Sequence, residues 1–188
     1  MNNNIEKLLI IDFGSQFTQL IGRKLRELNV FSEIIPYQNL SNKTLENYNP
    51  KAIILSGGPS SVLGKKFPLP PSKLFDLGIP VLGICYGLQV MMKLLGGKVD
   101  SGSGTSEFGR AMLKKTVIHS RIINDLFIKG EEQVWMSHGD HVSGISNGFE
   151  VIASSVGAPF AIIANDNKKL YGVQFHPEVY HTTNGLKL

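Results

Sequence analysis

At 188 residues, 42% hydrophobic and 18% charged, the chain has the length of one domain with a proper core and the composition of an ordinary soluble globular protein. No apolar run approaches the ~18 residues a membrane span needs, and no membrane partner is expected. The net charge of +4 is carried by lysines that are scattered or paired (65–66, 114–115, 168–169) with little aromatic interleaving, a solvated surface rather than a nucleic-acid face. The opening residues "MNNNIEKLLIIDFG" have neither a basic stretch nor a small-residue cleavage site, so no secretion signal is expected. One cysteine, Cys85, cannot close an internal disulfide, which suits a reducing cytoplasm and leaves a free thiol to be explained.

The first half alternates strand and helix signals. "KLLIIDF" (7–13) reads as a buried strand, and the following segment places Phe17, Leu20, Ile21, Leu25 and Leu28 on one helical stripe. "VFSEIIPY" (30–37) and "AIILS" (52–56) are further strands, the second running into "GGPSS". "IPVLGIC" (79–85) is another, followed by a helix through Leu88, Met91, Met92 and Leu95 that Gly96-Gly97 should stop. Apolar, unalternating strands separated by helices predict an open α/β fold: a mostly parallel twisted sheet with helices on both faces. The second half carries shorter strand signals, "AMLKKTVIH" (111–119), "EVIASS" (150–155), "FAIIAN" (160–165) and "LYGVQFH" (170–176), which predict an antiparallel extension of that sheet. With no repeat, linker or low-complexity tract, residues 1–188 read as one domain.

Sites in open α/β sheets form outside the carboxyl ends of the strands. Three such ends are chemically unusual here: "SGGPSS" (56–61), Cys85, and "FHPE" (175–178). Gly83 and Gly87 flank Cys85 at two residues either side, the pattern of a nucleophile elbow, where a side chain at either glycine would clash in the tight strand-to-helix turn. The turn should leave the sulfur exposed at the positive end of a helix, which favours thiolate. A thiolate nucleophile needs a proton carrier, commonly a histidine held by a carboxylate. Of the five histidines, 119, 138, 141, 176 and 181, His176 stands two residues before Glu178, so an extended backbone points both to one side. Pro177 disfavours helix at His176. Acyl chemistry at sulfur makes an oxyanion, which backbone amides should stabilise. The elbow supplies the Tyr86 amide, and the glycines of "SGGP" suit a second donor.

With those residues in place, "SGGPSS", "GICYGLQ" and "GVQFHPEV", in that order, resemble the class I glutamine amidotransferases, which hydrolyse glutamine with a Cys-His-Glu triad. "WMSHGDHV" (135–142), "HPEVYHTTNG" (176–185) and "IDFGSQFTQLIGRKLRE" near the start narrow the resemblance to the amidotransferase domains of guanosine monophosphate synthetases. It implies Cys85 as nucleophile, His176 as acid–base, Glu178 as its orienter, and the Gly58 and Tyr86 amides as oxyanion hole. It also implies that Gln89 and a loop of Ser137, His138, Gly139 and Asp140 hold the glutamine, with Asp140 facing its ammonium group. The residues alone make that loop a polar turn and leave His141 without a catalytic role.

The resemblance implies no cofactor in this domain. ATP and Mg²⁺ would serve an ATP-pyrophosphatase domain or subunit whose phosphate loop is absent here, and the ending "NGLKL" reads as a run cut short. Other family members, feeding anthranilate, carbamoyl phosphate or pyridoxal phosphate synthesis, tend to carry other residues at "WMSHGD". A cysteine peptidase is one further alternative, and a non-catalytic binding subunit is another. Zinc at "HGDH" (138–141) would need three or four ligands from a segment whose central glycine disfavours helix.

Overall fold

The computed structural model describes residues 6–102, 106–117, 120–123, 126–127 and 130–188. In chain order it contains β1 (Leu8–Asp12), α1 (Thr18–Glu27), β2 (Ser32–Pro36), α2 (Asn42–Tyr48), β3 (Ala52–Leu55), β4 (Val81–Ile84) and α3 (Tyr86–Leu94). These are followed by β5 (Lys98–Ser101), β6 (Glu107–Lys115), β7 (Glu131–His138), β8 (Asp140–Gly144), β9 (Glu150–Ser154), β10 (Ile162–Asn165) and β11 (Leu170–Val173). Among the described residues one sheet runs β2-β1-β3-β4-β11-β10-β9-β6-β7, and β5 pairs separately with β8.

From β2 to β11 every pairing is parallel, and from β11 to β7 every pairing is antiparallel. The parallel core and antiparallel extension expected from the apolar runs are thus both present, and the extension is as large as the core. Successive strand residues point to opposite faces, which sorts the apolar side chains into two cores. Leu9, Ile11, Ile53, Leu55, Val81 and Ile163 pack with Leu45 of α2 and with Leu88, Val90, Met91 and Met92 of α3. Ile10, Ile54, Ile84, Ile162 and Val173 pack on the other face with Ile21 of α1 and with Val134 and Met136 of β7. Covering both faces is what makes unbroken apolar strands stable here.

Several sequence expectations need correction. Leu28, assigned to the α1 stripe, lies beyond the helix end and is 49% exposed. Phe17 precedes the first helical turn at the carboxyl end of β1, so its ring leaves the core stripe for the site described below. Strands β5, β7 and β8 and helix α2 carry no signal strong enough to be read from sequence. α2 begins with a capping box: Ser41 accepts from the Thr44 amide while the Thr44 hydroxyl accepts from the Ser41 amide. The expected loop of residues 137–140 is instead the end of β7, Gly139 alone, and the start of β8. The strand expected over 111–119 is shifted to 107–115, and Ile118 and His119 lie outside the described residues.

The feature that places the site is the closeness of α3 to the strands beneath it. A Cβ on Gly87 would collide with the Leu55 carbonyl oxygen and come within 2.7 Å of the Leu55 Cβ. A Cβ on Gly83 would sit 2.6 Å from the Leu88 amide nitrogen and 2.7 Å from the Gly87 carbonyl. Backbone on both sides cannot yield as a flexible side chain would, so Gly87→Ala should cost about 3 kcal/mol through forced separation of helix and strand. Gly139, with nothing within 4 Å of its Cβ position, should tolerate alanine with little change in stability. Thermal denaturation of the two variants compares them.

Candidate active site

Cys85 stands between β4 and α3 with φ 51° and ψ −105°, a left-handed backbone that a non-glycine residue holds only when its surroundings impose it. The imposing contacts are a bond from the Cys85 amide to the Val173 carbonyl at 2.8 Å and one from the Gln89 amide to the Cys85 carbonyl at 3.1 Å. The first anchors the elbow to β11, the second to the first turn of α3. The Tyr86 amide occupies the first helical position, where no intrahelical acceptor exists, and the Tyr86 ring runs into the core, donating its hydroxyl to the Pro68 carbonyl at 2.6 Å.

His176 is reached three residues after β11 ends. Its amide donates to the Trp135 carbonyl at 3.0 Å, and its carbonyl accepts from the Thr182 hydroxyl at 2.6 Å. The Trp135 amide in turn donates to the Thr182 hydroxyl at 3.0 Å, so β7 grips the histidine and the segment after it together. His176 Nδ1 lies 2.8 Å from Glu178 Oε1, both side chains buried, and the Cys85 sulfur, which lines the same cavity, bears on the charge of the ring. Burial by itself lowers the basicity of an imidazole. Here the contacts with Cys85 and Glu178 and the negative charge of both outweigh it and hold His176 well above the ordinary histidine value. The Phe17 ring meets the imidazole edge-on, centroids 5.3 Å apart.

These residues open onto one cavity of about 450 Å³, a volume typical of small-molecule sites. Of the residues singled out in the sequence, Gly58, Cys85, Gln89, Ser137, His138, Gly139, Asp140 and His176 line it. Tyr86 and Glu178 do not; Glu178 stands behind His176. The "SGGP" backbone passes directly against the imidazole, since a Cβ on Gly57 would come 3.1 Å from His176 Cε1. Ser56 steadies that loop by accepting from the Phe13 amide at 3.0 Å and donating to the Gly57 carbonyl at 2.7 Å. Across the cavity, the Gln89 side chain donates to the Asp140 carbonyl at 2.8 Å, and the Asp140 carboxylate accepts from the Ser61 hydroxyl. The His138 ring is buried, its Nε2 3.5 Å from Glu107 Oε2. His141 lies on β8 opposite Asp100 and does not line the cavity. Among the described residues no group of three or more His, Cys, Asp or Glu side chains is placed to hold a metal.

Sequence reasoning missed the segment Gly14–Phe17, which forms one wall. Asp12 shapes it, accepting from the Gly14 amide at 2.8 Å and the Thr18 hydroxyl at 2.7 Å. The signal was present as Asp12 at a strand end with Gly14 and Ser15 two and three residues on, a turn pattern. Ser61, Gln174 and Thr182 were missed as well, and only their neighbours in space identify them.

The chain matches the family described as glutamine amidotransferase class-I over residues 9–188. It belongs to the class I glutamine amidotransferases. Among curated relatives of this amidotransferase are the GMP synthases [glutamine-hydrolyzing] of Cereibacter sphaeroides, 59% identical across 97% of this chain, and of Brachyspira hyodysenteriae, 50% identical across all of it. The chain spans about 35% of the length of these relatives. The solved structure of a GMP synthase subunit from Thermoplasma acidophilum superposes with a TM-score of 0.81 at 26% identity, covering 99% of this amidotransferase and 91% of that chain. A glutamine amidotransferase from Thermotoga maritima shares the fold with a TM-score of 0.66 at 21% identity, covering 94% and 78%. Among the described residues no helix is long and apolar enough to cross a membrane.

A raised His176 keeps its proton at pH values where a free imidazole has lost it. Both partners sustain this, so Glu178→Gln, or alkylation of Cys85, should bring the ring's titration down toward the ordinary value of about 6.5. Nitrogen chemical shifts of the His176 ring followed against pH report the change.

Proposed function

We propose that this chain is the glutaminase part of a glutamine-hydrolysing GMP synthase. The observation that carries the chemistry is that Cys85 and His176 line one cavity at the strand ends, with the Glu178 carboxylate bonded to the imidazole behind them. The observation behind the biological assignment is the 59% identity to a GMP synthase across nearly the whole chain.

The thiolate of Cys85 attacks the carboxamide carbon of glutamine. The oxyanion that forms is met by the Tyr86 amide at the start of α3 and by the Gly58 amide of the "SGGP" turn. His176 gives its proton to the departing nitrogen, and ammonia leaves a glutamyl thioester. His176, now neutral and held by Glu178, takes a proton from water; the hydroxide attacks the thioester, glutamate departs, and the sulfur returns as thiolate. Gln89 and the corner Ser137–Asp140 hold the amino-acid end of the substrate, the Asp140 carboxylate facing its ammonium. The ammonia then aminates xanthosine monophosphate to guanosine monophosphate in the remaining part of the synthase, where ATP and Mg²⁺ act. This chain needs no cofactor of its own. The reaction belongs in the cytoplasm, where a lone thiol stays reduced.

Cys85→Ala should abolish ammonia release from glutamine while leaving the thermal midpoint nearly unchanged, and persistent hydrolysis in that variant would refute the nucleophile. His176→Ala should lower kcat more severely than Glu178→Ala, because water partly replaces an orienter. The two losses should combine less than multiplicatively.

Waste of glutamine without an acceptor is avoided if the site is incomplete until the synthase part contacts it. The isolated chain should therefore bind glutamine yet turn it over slowly, with the ATP-pyrophosphatase part and its substrates raising kcat. One misplaced oxyanion donor leaves a range of about 10²–10³-fold for that activation. Steady-state ammonia release with and without the synthase part measures it, and a chain already at full rate alone refutes it.

A further inference from the structure

We propose that Gln174 is a further catalytic residue, whose carboxamide N–H donates to the Cys85 sulfur and holds it as thiolate. This rests on the reading of Cys85 as nucleophile. Val173 lies opposite Ile84 in the parallel ladder of β11 and β4, and the Cys85 amide bonds the Val173 carbonyl. The next residue along each strand is Gln174 on one side and Cys85 on the other, so the ladder itself sets them side by side. Gln174 Nε2 lies 3.7 Å from the sulfur, a length suited to the large sulfur atom.

The side chain has little else to do. Gln174 is 1% exposed, and its Oε1 is buried with no hydrogen-bond partner among the described residues. A buried carboxamide costs free energy unless its groups are paired, and here the partner of its N–H is the nucleophile. The sulfur also faces an opposing group, the Ser137 carbonyl at 3.7 Å, which accepts from a thiol but repels a thiolate. An N–H donor that never titrates offsets that repulsion at every pH, whereas His176 helps only while protonated. The same bond eases the second half of the reaction, because the thioester sulfur must leave carrying negative charge. Gln174 does not line the cavity, so its effect belongs in kcat and not in KM.

The test uses the full chain with Gln174→Met, which keeps size and removes the donor, and Gln174→Glu, which replaces the donor by a carboxylate. Thiolate absorbance near 240 nm and iodoacetamide labelling of Cys85 are followed against pH. Hydrogen bonds to charged groups have a size that predicts a profile displaced to higher pH by about one unit in Gln174→Met. Gln174→Glu should move it at least as far, and kcat should fall in both with KM for glutamine unchanged. Folded variants whose profile stays in place overturn the proposal. So does a shift to lower pH, which would mean that the amide turns its carbonyl to the sulfur. Should neither variant fold, the side-chain amide resonance of Gln174 in the unaltered chain decides: it should move when Cys85 is alkylated, and a fixed resonance overturns the proposal. Labelling requires no glutamine, so failure here is separable from failure of the glutaminase reading, which the Cys85→Ala assay addresses.

Discussion

The close approach of α3 to β3 and β4 is the constraint on which the rest of the structure depends. Helix and strand backbones touch with no side chain between them at Gly83 and Gly87. The residue midway has no room for an ordinary turn and takes a positive φ. That strain is local, and the packing of two apolar cores on the sheet sustains it. The sulfur is not exposed as the elbow pattern predicted: Cys85 is buried, 6% exposed, because the cavity it lines is walled by the strand ends around it, and it stands directly ahead of the first amides of a helix.

Parallel strands bring the remaining groups to the same lip. β1, β3, β4 and β11 run in one direction, so their carboxyl ends deliver the Gly14–Phe17 wall, the "SGGP" turn, Cys85 and the "QFH" segment to one edge. The antiparallel half completes the enclosure from across the sheet. Its β7–β8 corner carries Ser137–Asp140 and is tied back to the elbow helix by the Gln89 side chain. The two halves of the sheet therefore contribute differently: the parallel half brings Cys85 and His176 to the cavity, and the β7–β8 corner closes it from the other side.

β7 has a second role. It bonds the His176 amide through Trp135, the Thr182 hydroxyl through the same residue, and the Thr183 amide through the Gln133 carbonyl at 3.2 Å. The Asn184 amide joins the same strand through the buried Glu132 carboxylate at 2.9 Å, and His181 stacks on Trp135 with centroids 4.5 Å apart. The segment following "HPE" is thus laced along an edge strand, and displacement of that strand or segment would bear on His176 within a few residues. Rigid backbone bonds carry such a displacement better than side-chain contacts, because their geometry leaves little slack.

The amino-acid sequence by itself determined the elements whose information is local. Apolar runs marked the parallel strands, glycines at fixed spacing marked the elbow, and His176 with Glu178 two residues on marked a hydrogen-bonded pair. For the strands and the elbow short-range sterics and alternation dictate the outcome; the histidine–carboxylate pair gained its meaning only beside the elbow cysteine, since an isolated pair of this spacing is usually a surface turn. β7 and β8 left no such mark, because "WMSHGDHV" becomes two strands only when β6, β5 and the bonded segment 176–184 supply their partners. Phe17 fitted a helical stripe, and only its position at the end of β1 sends the ring to His176 instead. Gln174 is invisible for the same reason: nothing within a few residues distinguishes it from any polar residue after a strand. Its place beside the sulfur comes from the register of β11 on β4, and register between strands some ninety residues apart is decided by packing of the whole sheet rather than by the local chain.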